Sequence, residues 1–240
     1  MLYKLILSIG SLIILFFLST TYLTSIKKLE NINYRQKIYK MSIIIAFFAI
    51  GMDILEGVFF SQKLDILFKI AWYSHWLSTY GFYFIVFYYF MIYFGLENPK
   101  NWKEVFFDKK ILTLKNIYSI FIITVFIAVL LIVKPLALTD KFEFVPFRYG
   151  IFILVTMVFY AIFLVAIIVK YLKTTDENKK AKILSMLVVI GGVSISAIIQ
   201  IIISTFGFLG LGLYLATMLM YFLIENVDLI IADELIIGKI

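Results

Sequence analysis

The sequence predicts an all-α, polytopic membrane protein built as a bundle of seven transmembrane helices. Three observations predict it. The chain is 63% hydrophobic with a mean hydropathy of +1.04, more apolar surface than a soluble domain of this size needs. The apolar residues gather into seven runs, most of them close to the roughly 20 residues that span a bilayer as a helix. The basic residues alternate between the loops that join those runs. The first, third and fifth loops hold fifteen Lys and Arg, and the second, fourth and sixth hold five. Positively charged loops stay in the cytoplasm, so this bias puts the N-terminus outside and the C-terminus inside.

Taken in order, the first run covers residues 5–24. Lys4 before an apolar core has the look of a signal peptide, but the stretch is long and no small-residue cleavage site follows. Its removal would also leave the first basic loop, 25–40, with no span to hold it inside. The second run, 41–60, carries Asp53 and Glu56. The polar break Ser61-Gln62-Lys63-Leu64-Asp65 then turns the chain into the third run, 67–95, long enough to tilt. The fourth run, 117–133, stops at Lys134-Pro135, and the fifth, 148–169, opens with Arg148. The sixth, 183–204, reaches the seventh, 208–226, through a short uncharged link at Thr205-Phe206-Gly207. Residues 1–227 thus read as one seven-helix domain and 228–240 as a short cytoplasmic tail.

Composition excludes several functions. The chain has no cysteine and one histidine, which removes disulfides, thiol chemistry and histidine-rich metal sites; the sequence predicts no metal and no cofactor. The net charge of +7 sits in short loops, where topology and anionic lipid account for it better than nucleic acid does. There is no phosphate-binding or dinucleotide glycine loop and no Gly-x-Ser-x-Gly elbow. The last run has no lysine to carry a retinal Schiff base. A membrane enzyme would gather its reactive groups at an interface, whereas these loops hold mainly lysine with scattered acids.

What remains is a set of polar residues inside apolar sequence. Asp53 and Glu56 are three apart, so a helix places both on one face. His75 lies about as far beyond the polar turn as Asp53 lies before it. At about 1.5 Å rise per residue the two share a depth in the outer half of the bilayer. Gln200 on the sixth run and Arg148 on the fifth fall at the same level, with Lys69 close by. One reading is a ligand- or proton-sensing pocket open to the outside, with His75 and a carboxylate as a pH-responsive pair. The other is an interhelical hydrogen-bond network that fixes packing, with Arg148 and Lys69 as interfacial anchors. Trp72, Trp76, Tyr80, Tyr83 and Phe87 recur at helical spacing. They form either a packing stripe or the wall of an aromatic cavity, with the tryptophans in the interfacial belt.

The segments Asp53-Ile-Leu-Glu-Gly-Val-Phe-Phe, Ala71-Trp-Tyr-Ser-His-Trp-Leu-Ser-Thr-Tyr-Gly and Tyr89-Phe-Met-Ile-Tyr-Phe-Gly resemble the N-terminal seven-helix sensor region of bacterial histidine kinases and related signalling proteins. The stretch Met220-Tyr-Phe-Leu-Ile-Glu-Asn-Val-Asp-Leu-Ile-Ile-Ala-Asp is similar to that family's last span and the linker after it. The resemblance makes Glu56 the acid of span two and Trp72 the tryptophan of span three. It implies a multi-pass inner-membrane sensor of an extracellular or membrane-borne signal. Such regions normally continue into a kinase, cyclase or other output module, whereas this chain runs fourteen residues past Asn226. The expectation is a receptor-like module, not itself an enzyme, that reaches a cytoplasmic signalling partner through its tail. The competing expectation is a small ion- or proton-coupled transporter or channel that uses the same carboxylates as a relay.

Overall fold

The computed structural model describes residues 2–26, 33–93, 167–202 and 208–225, with short stretches at 103–104, 116–117, 119–121, 123–124, 127 and 164–165. The described residues are helical apart from short turns, with no strand among them. Five named helices follow: α1 (Leu2–Ile26), α2 (Tyr34–Ser61), α3 (Asp65–Tyr93), α4 (Glu177–Ile202) and α5 (Phe208–Met220), the last continued by a π-helical turn, Tyr221–Glu225. The segments Leu5–Ile26 and Tyr34–Ser61 are each long and apolar enough to cross a bilayer. Most of the fourth and fifth apolar runs, Arg148, and the 228–240 tail lie outside the described residues.

The chain divides into two compact units, Asn33–Ile153 and Leu2–Ile32 with Leu154–Ile240. In the first, α2 and α3 form an antiparallel hairpin. Helix α2 starts at Tyr34, well before the apolar run at 41, because Asn33 and Gln36 make a reciprocal capping box. The Gln36 N–H donates to Asn33 Oδ1 at 2.9 Å, and the Asn33 N–H donates to Gln36 Oε1 at 3.1 Å. Basic residues read from the sequence as loop therefore ride on the first turns of α2. Arg35 lies 5.6 Å above the Tyr93 ring, and Lys37 lies 4.7 Å above Tyr34.

Helix α2 ends in a Schellman turn. The Leu64 N–H donates to Phe59 O at 2.9 Å and the Lys63 N–H to Phe60 O at 3.1 Å, with Lys63 left-handed at φ 57°. The pairs Phe60–Phe68, Tyr39–Tyr89 and Arg35–Tyr93 then follow one another away from this turn and fix the antiparallel register. The buried face of α2 steps through Ser42, Ala46, Ala49, Asp53, Glu56 and Gly57. Ile38, Tyr39, Ile43 and Ile50 are buried as well, and the small residues Ser42, Ala46, Ala49 and Gly57 let a neighbouring helix approach closely between them. Phe68, Trp72, His75, Thr79, Phe82 and Val86 make the buried stripe of α3.

In the second unit, α1 packs on α5, and α4 packs on α5. Helix α1 buries Ser8, Ser11, Leu15, Leu18, Ser19, Tyr22 and Ile26, again one helical face rich in small residues. A Cβ at Gly192 of α4 would stand 3.4 Å from Leu219 Cδ1, so the glycine marks a close helix contact. Large apolar side chains face outward on several helices: Ile6, Ile13, Phe16 and Phe17 on α1, Ile44 and Phe48 on α2. An apolar outer surface of this kind suits a lipid solvent.

Candidate functional site

Asp53 and Glu56 sit on adjacent turns of the buried face of α2, and the hairpin register brings His75 of α3 level with Asp53. All three are nearly inaccessible, at 4%, 6% and 4% exposed respectively. One carboxylate oxygen from each acid and one ring nitrogen of His75 all lie within 4.8 Å of one another. The sequence had placed these residues at one depth; the hairpin brings them together in space.

The orientation of His75 has a local cause. Its Nδ1 lies 3.0 Å from the carbonyl oxygen of Ala49, across the helix pair. A backbone oxygen can only accept, so Nδ1 carries a proton and donates to it. The contact reaches helix backbone because residue 49 is alanine; a larger side chain would stand in the way. Neither carboxylate is isolated, since both engage further interactions. One turn beyond His75, Thr79 is 2% exposed, and its Oγ1 has no hydrogen-bond partner among the described residues.

The aromatic stripe packs. Trp72 and Trp76 have ring centroids 6.0 Å apart, and Trp76 and Tyr80 6.1 Å apart. Trp72 clusters with Phe68, Phe59, Phe60 and Tyr73, and Trp76 meets His75 edge-on at 6.2 Å. Of these rings, Trp76 is the one that touches a residue of the cluster, His75. Lys69 turns to Asp65, 2.6 Å away along α3, as a half-exposed pair. Such pairs are worth only about 0.3–0.5 kcal/mol in a helix exposed to water. Gln200 lies on α4 in the second unit, with its side chain outside those described, and Arg148 lies outside the described residues.

Sequence reasoning missed one buried acid. Glu225, in the π-helical turn after α5, is 0% exposed, and the Tyr22 hydroxyl stands 3.5 Å from its Oε2. Tyr22 also meets Tyr221 edge-on, at 6.3 Å. Glu225 closes the seventh apolar run, so it reads from sequence as the start of a polar linker. The sequence carries no signal that would have marked it as buried; the π turn that holds it is visible only in the structure.

No family model, curated protein or solved structure matches this chain.

Proposed function

We propose that the chain is a receptor-like sensor module in a bacterial inner membrane. In this reading it has seven transmembrane helices, an outside N-terminus and a cytoplasmic C-terminus. The Asp53–Glu56–His75 cluster, buried at the seam of an apolar hairpin, is the observation that carries the reading. Ionisable groups cost a few kcal/mol each at the centre of a membrane helix, and those that persist there generally serve a ligand, an ion or a proton. The loop charges and the resemblance to kinase sensor regions support the same reading.

The mechanism is a two-state shift of helix packing. A ligand or proton arriving from outside binds the cluster better in one packing state and moves the equilibrium by its differential affinity alone. The last span and the 227–240 tail carry the change to a cytoplasmic partner. A photo-crosslinker placed in that tail in intact cells tests this. Capture of a kinase, cyclase or regulator, in an amount altered by Glu56→Gln, supports a sensor. Capture of lipid alone, with the protein stably present, overturns it.

A second reading, an ion- or proton-coupled transporter, draws support from Glu225. Glu225 is a second buried acid, in the other unit, where the inner halves of spans two, three and six offer serine and tyrosine but no acid. Purified protein in liposomes loaded with a pH-sensitive dye separates the two: a sensor leaves the internal pH unchanged.

A further inference from the structure

We propose that Asp53, Glu56 and His75 bind a divalent first-row transition-metal ion, with zinc the ion that best fits the donor set. The proposal rests on reading this cluster as the ligand site and adds the chemical class of the ligand.

Two observations of geometry lead there. The donors are two carboxylate oxygens and one imidazole nitrogen from two helices, within 4.8 Å of one another. Bonds of about 2.0–2.1 Å in a tetrahedral zinc site set ligand atoms roughly 3.3 Å apart. Small side-chain rotations on a fixed hairpin close that difference. The imidazole is also set up as a metal ligand usually is, with one ring N–H given to a carbonyl, here Ala49 O at 3.0 Å, and the other nitrogen left to coordinate.

The chemistry narrows the ion. Two carboxylates and a doubly charged cation sum to zero, which lowers the cost of holding like charges together in apolar surroundings. The imidazole disfavours magnesium and calcium, which prefer oxygen donors throughout. The chain has no cysteine, so the site is also a poor one for copper(I). Three protein ligands leave a coordination position open for water or an outside group, as in exchangeable sites rather than closed structural ones.

The test uses the fact that His75 is the only histidine. The full chain, purified without a histidine tag in lipid nanodiscs and labelled with ¹⁵N-histidine, gives two ring-nitrogen signals that belong to His75 alone. Titration with zinc chloride is expected to shift the Nε2 signal with one equivalent bound per chain and to leave Nδ1 protonated. Glu56→Gln and Asp53→Asn are each expected to weaken zinc binding at least tenfold, while Asp65→Asn, outside the cluster, leaves it unchanged. Ring signals that zinc does not move overturn the proposal. So does zinc affinity unaltered in a folded Glu56→Gln protein. Should that variant fail to fold, the wild-type signals still decide. The measurement reads occupancy and needs no signalling output, so loss of the metal proposal and loss of the sensor reading are told apart by this titration and the tail crosslinking.

Discussion

Asp53, Glu56 and His75 owe their meeting to two spacings. A step of three along a helix puts both acids on one face, and near-equal distances from the turn put the histidine opposite Asp53. Both spacings are visible in the sequence, so this part of the site was legible before any coordinates. Glu56→Gln keeps the size of the side chain and removes its charge. It is expected to alter the response to the outside signal while the protein still inserts and accumulates, which a membrane-fraction blot alongside a reporter assay would check. Loss of folded protein would instead assign Glu56 to packing. Glu225 was not legible, because an acid at the end of an apolar run is indistinguishable from the first residue of a linker. Its contact with Tyr22 is long for a hydroxyl hydrogen bond. Tyr22→Phe is therefore expected to cost under about 1 kcal/mol in a denaturation series, and a larger loss would mean that the hydroxyl holds more than this one contact.

At the scale of elements, the hairpin depends on a turn and a seam. Lys63 occupies a left-handed conformation that costs an ordinary L-residue about 1–2 kcal/mol and glycine almost nothing. Lys63→Gly is thus expected to stabilise the α2–α3 hairpin by about 1 kcal/mol, seen as a higher unfolding midpoint. The seam depends on Ala49, whose small side chain gives His75 access to the helix backbone. Ala49→Leu overpacks the contact and is expected to destabilise the unit by about 1–3 kcal/mol, and the His75 ring-nitrogen signals should show Nδ1 released from its carbonyl. The cores of α1, α2 and α3 were legible because their apolar runs are long. The true starts of α2 and α4 were not. Tyr34–Lys40 and Glu177–Lys182 are too polar to count as spans, yet the Asn33–Gln36 capping box and the Glu177–Lys180 pair support helix there.

At the scale of the whole molecule, the direction proposed for the signal follows from the loop charges. The proposed site is open to the outside only if the turn at Gln62 is extracellular, and that assignment rests on fifteen basic residues against five in alternate loops. The chain has no cysteine, so a single introduced one reports its own loop without background. A cysteine at exposed Gln62, or at Asp140, is expected to react with a membrane-impermeant maleimide in intact cells. One at Lys28, Lys109 or Lys179 should react only after the membrane is opened. The inverse pattern would leave the helices standing but turn the Asp53–Glu56–His75 site toward the cytoplasm, where an outside ligand could not reach it. Equal reaction at Lys109 and Asp140 in intact cells would remove the span between them and with it the seven-helix count. The two failures differ in consequence. An inverted protein could still bind metal at the same three side chains, because the hairpin makes the site by itself. A chain with fewer spans would keep the hairpin but lose the path proposed from that site to the tail.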